Sequence, residues 1–164
     1  MLTKGGLMRK ITTVLAITIT LLPSFMFARE SWLTGTKVEQ EPTHVLNHRW
    51  KGTWTDSEGY LFHAKVKFEV TEEGKVKGVI SWTLVKSPRH GEQSKLGRTG
   101  RESVEGSYDE KTRILSFAGH KKDDPYNVIG LDKYRLFLAE NNKVIGGITW
   151  DHGTWRGLCS LVRY

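Results

Sequence analysis

The sequence predicts an all-β fold, an eight-stranded antiparallel up-and-down barrel, on three observations. From Trp50 onward, short segments of the 164-residue chain alternate apolar and polar residues with a period of two. Residues that favour turns, such as glycine, asparagine and aspartate, separate these segments. No amphipathic pattern of helical period and useful length lies between them. Eight sequential strands can close into a barrel without a free edge; an open sandwich of the same strands is the alternative.

The clearest strand spans 62–70, where every even-numbered residue is apolar and every odd-numbered residue is His, Lys or Glu. Such alternation is typical of a strand with one face in the core and one in water. A turn over 71–75, with Gly74 for a left-handed backbone position, leads to the next strand at 76–85. The other six strands are predicted at 50–55, 101–108, 113–119, 134–138, 144–150 and 154–163.

Two of these strands share a pattern. Residues 76–82 and 144–150 both read V-x-G-x-I-[S/T]-W. We interpret them as two strands that solve the same packing problem, in which the glycine lets the sheet bend and the tryptophan fills the interior. Shared positions that face a ligand are the alternative.

The first 28 residues differ from the rest of the chain. Three basic residues and no acidic one precede an apolar run over 11–22. After this run, a small residue, Ala28, stands directly before the charged pair at 29 and 30. This pattern predicts a secretory signal peptide cleaved after Ala28, and therefore an exported protein, periplasmic or secreted; an uncleaved N-terminal anchor is the alternative. The run is shorter than the ~20 residues of a membrane span, so we expect no stable span after cleavage. A polar linker at 29–48 and a barrel domain at 49–164 follow.

Composition excludes some functions. The chain has 25 basic and 18 acidic residues, and loss of the three basic residues of the leader leaves a net charge of +4. Because the basic residues are interspersed with acidic ones, we expect no nucleic-acid partner. Cys159 is the only cysteine, which excludes an intramolecular disulfide. We expect it to be a small buried residue of the last strand; an intermolecular disulfide or a reactive thiol is the alternative.

The strand order places both long connections at one end of the barrel. In a meander, alternate connections lie at opposite ends, so the connections 56–59, 86–100, 120–132 and 151–153 share one end, and the short ones share the other. We call the first end the mouth. Functional residues favour loops on a rigid scaffold, and barrel mouths are frequent ligand sites.

The residues that open the barrel resemble those of a known superfamily. Residues 50–56 read W-K-G-T-W-T-D, Glu58-Gly59 follow, and 74–80 read G-x-V-x-G-x-I. This resembles the first strands of calycins, the group of lipocalins, fatty-acid-binding proteins and avidins, and is most similar to the avidin-type opening. The avidin pattern of biotin-contacting residues and the lipocalin disulfide cysteines are not found. The segment 123–130 also resembles segments of uncharacterised bacterial proteins, which implies no activity.

The calycin resemblance implies that Trp54, in the G-x-W motif, plugs one barrel end. It also implies that a basic residue late in the barrel, Arg156 or Arg163, packs on this tryptophan.

At the mouth, we expect a small, partly apolar ligand and no cofactor. The predicted contacts are the rings of Trp82, Trp150 and Tyr126, with His152 and Asp151 as polar groups. The alternative is an exported protein–protein interaction or inhibitor module that uses the loops 86–100 and 120–132.

Catalysis has little support in the sequence. It contains no nucleophile elbow and no phosphate-binding glycine loop, so the predictions name no catalytic residue; an enzyme on the same scaffold is the third hypothesis. Several mouth residues could in principle hold a metal or work as an acid–base pair, but they lack a tight ligand spacing, so no metal is predicted. These residues are His90, His120, His152, Asp123, Asp124, Asp151 and Glu58.

Overall fold

Eight antiparallel strands close into a barrel in the order of the sequence, and the last strand pairs with the first. The computed structural model describes residues 44–151, 153 and 155–164, so the predicted signal peptide and most of the predicted linker lie outside the described residues. The strands are β1 (Arg49–Asp56), β2 (Leu61–Val70), β3 (Lys75–Lys86), β4 (Thr99–Asp109), β5 (Ile114–Asp123), β6 (Lys133–Leu138), β7 (Val144–Trp150) and β8 (Arg156–Arg163).

The predicted fold class is confirmed. Strand β5 departs most from its predicted bounds, because it continues to Asp123 and takes in the first four residues of the predicted loop 120–132. Short 3-10 turns at Val45–Asn47 and His90–Lys95 are the only helical elements of the described ranges. No helix there is long and apolar enough to cross a membrane.

The interior follows the predicted alternation. In β2 the even-numbered residues from Phe62 to Val70 are all buried and the odd-numbered ones from His63 to Glu69 are exposed. The half of the barrel away from the mouth is filled with apolar side chains that have almost no exposed surface, as in the close-packed interior of other proteins. These are Phe68, Val76, Leu115, Leu138, Ile145 and Leu161.

The segment before β1 covers the end opposite the mouth. Leu46 and Trp50 are both fully buried there, and the Trp50 indole N–H donates to the Leu46 carbonyl at 3.0 Å. The Asn47 side chain accepts from the Val70 amide at 2.7 Å and donates to the Val70 carbonyl at 3.4 Å. Residues 44–48, at the end of the predicted linker, are therefore fixed to the barrel by hydrogen bonds and burial.

At the mouth, the two long connections meet. The β3–β4 connection, 87–98, contains the 3-10 turn at 90–95, and the Lys95 ammonium donates to the Asn127 carbonyl of the β5–β6 connection, 124–132, at 3.0 Å. The β1–β2 connection is short and is held by Asp56, whose Oδ1 accepts from three backbone amides.

Candidate functional site

A cavity of about 320 Å³ opens at the mouth, and we call it the mouth cavity. Three kinds of residue line it. Aromatic side chains form most of the wall: Trp54, Phe62, Trp82, Tyr134 and Trp155. Val128, Ile129 and Gly130 of the β5–β6 connection cover one side, and the polar lining consists of Glu102, Asp132 and Asp151.

Two glycines at inward positions make room for the large side chains of this half of the barrel. A Cβ at Gly157 would lie 2.2 Å from the Trp54 indole, and a Cβ at Gly119 would lie 1.8 Å from Oε1 of Glu102. Both distances are far below van der Waals contact. Glycine therefore lets the Trp54 indole lie against β8 and lets the Glu102 carboxyl group lie against β5.

Glu102 is the most buried polar group of the cavity, with 1% of its surface exposed. Its Oε2 accepts from the Trp82 indole N–H at 3.1 Å and from the Tyr134 hydroxyl at 2.5 Å. Its Oε1 accepts from the Asp132 amide at 3.1 Å. Burial, which is the largest effect, and the nearby Asp132 charge together raise the pKa of Glu102 to about 7, against the lowering effect of the three hydrogen bonds. This carboxyl group therefore changes its charge near neutral pH.

A second hydrogen-bond chain joins the other side of the cavity to Asp132. The Trp54 indole N–H donates to the Thr149 hydroxyl at 2.6 Å, and that hydroxyl donates to Oδ2 of Asp132 at 3.4 Å. Thr149 is fully buried. The two chains fix the indoles of Trp54 and Trp82 through buried side chains, so the ring planes are preorganised.

Trp155 lies at the rim, where two carboxylates hold it. Its indole N–H donates to Oε1 of Glu58 at 3.0 Å, and its backbone N–H donates to Oδ1 of Asp151 at 3.2 Å. The Arg89 guanidinium lies 5.9 Å from its ring centre and 5.8 Å from that of Tyr60, within the range of a cation–π contact. The predicted acidic residues Glu58 and Asp151 thus position an aromatic ring.

Glu92 holds the β3–β4 connection against the mouth. Its Oε2 accepts from the Tyr60 hydroxyl at 2.8 Å and from the Ser87 hydroxyl at 2.7 Å. The Ser87 hydrogen bond is the largest effect that lowers the pKa of Glu92. A smaller cavity of about 140 Å³ adjoins the mouth cavity on this side and shares Phe62, Trp155 and residues 128–130 with it.

The structure brings some of the predicted ligand contacts together and separates others. Trp82 and Asp151 line the mouth cavity. Trp150 lies on the outer face of β7, two residues after the exposed Ile148, and so does not face the cavity. Tyr126 is 47% exposed, outside the cavity lining, with the Arg98 guanidinium 4.6 Å from its ring centre. His152 lies outside the described residues.

The two copies of the V-x-G-x-I-[S/T]-W pattern face opposite ways. In β3 the inward residues are those of the pattern, including Ile80 and Trp82, whereas in β7 the inward residues are Ile145 and Thr149, one step out of phase. The copies therefore do not solve one packing problem, because a shift of one residue reverses the face of every side chain.

The residues of the implied barrel plug lie apart. Trp54 is buried two residues before the end of β1, at the mouth, where its indole packs on the Gly157 backbone. Arg156 is exposed and donates to the Trp155 carbonyl, and Arg163 is exposed beside Trp50 in the β1–β8 register. The tryptophan that fills the opposite end is Trp50, with Leu46 beneath it.

The candidate metal ligands are also dispersed. His90 and His120 are exposed, and within the described part of the chain no three His, Cys, Asp or Glu side chains converge to hold an ion.

Sequence reasoning missed Glu102 and Trp155. The sequence did contain a signal for Glu102. It stands at alternate positions of its strand with Val104 and Tyr108, so its carboxyl group shares their apolar, inward face. Trp155 was assigned to the last strand, but β8 begins at Arg156, so the side chain belongs to a connection at the rim.

A comparison with solved structures finds the same architecture in a redesigned β-barrel, mFAP0, determined with DFHBI bound. The two chains share 12% sequence identity over 73% of this chain and 100% of the other, with a TM-score of 0.54. At this identity the similarity concerns the fold alone. No protein-family model and no curated protein matches the chain.

Proposed function

We propose that the protein binds a small, flat and partly apolar ligand in the mouth cavity. The observation that carries the proposal is an accessible space of about 320 Å³ with five aromatic side chains in its wall. Small-molecule sites are typically concave, mostly apolar and about 300–1,000 Å³ in volume. Side chains can fill an eight-stranded barrel completely, so a barrel that only presents loops to another protein needs no such space.

The polar groups of the cavity support the same proposal. Glu102 and Asp132 lie together at one side of the cavity, and hydrogen bonds hold Glu102 in place. A small number of fixed polar groups of this kind is expected where a ligand is oriented. The related fold solved with a small molecule bound shows that a barrel of this architecture can hold one. Export of the mature barrel, and the calycin resemblance of residues 50–85 and the last strand, remain parts of the proposal.

Binding can be tested with 1-aminoanthracene, a flat, neutral dye whose fluorescence rises in apolar surroundings. We expect saturable binding to the wild-type protein. The blocking variant is Gly130→Leu, because a Cβ at Gly130 meets only Oδ1 of Asp132, at 3.8 Å, and the residue lines the cavity. The added side chain takes up cavity volume, so we expect affinity to fall by roughly tenfold or more, which is about 1.4 kcal/mol.

The matched control is Gly91→Leu, at an exposed position outside the cavity lining where a Cβ meets nothing within 4 Å. It should bind the dye like the wild type. Equal loss in both variants, or no saturable binding by the wild type, would contradict the proposal and favour the protein-interaction alternative. If the wild type and the control bind the dye and Gly130→Leu does not, native mass spectrometry of the protein from its own host would identify any ligand that co-purifies.

A further inference from the structure

The polar lining of the mouth cavity is of one sign. Its three titratable acids are Glu102, Asp132 and Asp151, and no Lys, Arg or His is among its described lining residues. This contrasts with the net positive charge of the whole chain.

Three basic residues in the connections and strand ends at the mouth are engaged with nearby acids. The Arg89 guanidinium lies 3.6 Å from Glu58, and the Lys95 ammonium lies 3.5 Å from Glu92. The Lys122 ammonium lies 3.8 Å from Asp124 and also donates to the Ile129 carbonyl. An acid beside each of these three cations compensates part of its charge, whereas the three carboxyl groups lie in the lining of the cavity itself.

The two inner carboxyl groups are close enough to interact. The Asp132 amide donates to Glu102, and the Asp132 charge disfavours the ionised form of Glu102. Tyr134 is the other titratable group in contact with Glu102, and its hydroxyl donates to it. A positive charge placed beside this pair relieves the repulsion, whereas a negative charge adds to it.

The aromatic wall favours the same sign of charge. The face of an indole attracts a cation, more strongly when water is excluded, and the indoles of Trp54, Trp82 and Trp155 all line the cavity. Hydrogen bonds from their N–H groups to Thr149, Glu102 and Glu58 fix the rings. Carboxyl groups and fixed indoles in one apolar cavity are the combination that recognises an organic cation.

We infer that the natural ligand of the mouth cavity carries a protonated amine or another cationic nitrogen on a flat apolar body. The cationic nitrogen lies near Glu102 and Asp132, and the apolar body lies against the aromatic wall. This inference rests on the proposed function, since it names the class of ligand for the same cavity.

The test compares three compounds of one indole body that differ in charge: tryptamine (cationic), tryptophol (neutral) and indole-3-propionate (anionic). Each is used to displace 1-aminoanthracene at low salt and about pH 8, where Glu102 is mostly ionised. We expect tryptamine to displace the dye at a concentration at least roughly tenfold lower than tryptophol, with indole-3-propionate the weakest.

The variants Asp132→Asn and Asp151→Asn keep the side-chain size and remove one charge each. Both should weaken the binding of tryptamine more than that of tryptophol, so the ratio of the two affinities falls towards one. Asp123→Asn, at an exposed position on β5, is the control and should keep the wild-type ratio. Urea unfolding of each variant shows whether it is folded. If one of the two cavity variants does not fold, the other provides the test.

Three failures can be told apart. If the dye binds but tryptamine does not displace it better than tryptophol, or indole-3-propionate is the strongest, the cationic ligand is refuted and the binding function stands. If neither the dye nor any indole compound binds, the proposed function itself fails. A preference for tryptamine that is unchanged in both cavity variants refutes the placement of the cationic nitrogen near Asp132.

Discussion

The titration of Glu102 gives the sharpest prediction about stability. Its pKa in the folded protein is about 7, against an ordinary value of 4.5. In the unfolded chain the group is solvated and ionises near its ordinary value. Between these two pH values the folded protein holds more protons than the unfolded chain, so the free energy of unfolding falls as pH rises. The stabilisation is fully present below about pH 4.5 and is lost as pH rises through about 7.

The magnitude follows from the two pKa values. At about 1.4 kcal/mol per pH unit, the rise from 4.5 to about 7 corresponds to about 3 kcal/mol. This is a large part of the 5–15 kcal/mol by which domains are usually stable. The Glu102→Gln variant cannot ionise, so its stability lacks this dependence. The difference between wild type and variant should therefore change by about 3 kcal/mol between about pH 4 and about pH 8.

The assay is urea unfolding followed by tryptophan fluorescence at several pH values. Subtraction of the variant removes the contributions of other groups that titrate in the same range, such as His44, whose pKa burial lowers. Glu105→Gln is the control, because Glu105 lies on the same strand but is exposed; its curve should stay parallel to that of the wild type. Parallel curves for wild type and Glu102→Gln would refute the reasoning, since Glu102 would then titrate alike in both states.

Three more predictions concern the plug, the thiol and the leader. Trp50→Ala should lower the free energy of unfolding by about 3–5 kcal/mol, because it leaves a cavity above Leu46; a loss below about 1 kcal/mol in urea unfolding would contradict this role. Cys159 should not react with a thiol reagent in the folded protein, because burial raises its pKa to about 12, and labelling should begin only as urea unfolds the chain; immediate labelling would refute its burial. Protein from its own host should begin at Arg29, as read by intact mass and N-terminal sequencing; retention of Met1 would contradict cleavage after Ala28.

Sequence periodicity was enough to predict the barrel, because alternation of apolar and polar residues marks the inward face of strands such as β2. In β2 five apolar residues at alternate positions show which face is buried. The turn at 71–75 then determines how the next strand pairs with β2. Periodicity failed where both faces are apolar: in β7, Ile145 and Ile148 lie on opposite faces, so the pattern alone could not place Trp150.

The cavity was harder to predict than the strands. Its rim is built from connections between strands. The position of Trp155 follows from hydrogen bonds to Glu58, far away in the sequence, and to Asp151, four residues earlier, and no sequence motif marks either contact. The inward carboxyl group of Glu102 depends on Gly119 across the β4–β5 pair, where a side chain would collide with it. Such a pair is invisible until the register of the two strands is known.

The division of the barrel interior has a consequence for how this protein can change over evolution. The residues that hold the fold, such as Trp50 and Phe68, are packed at one end, and many of those that line the mouth cavity, such as residues 128–130 and Trp155, lie in connections at the other. Substitutions in these connections alter the shape of the mouth cavity while the core keeps its contacts. The lining of the cavity can therefore change over evolution without loss of the contacts that stabilise the barrel.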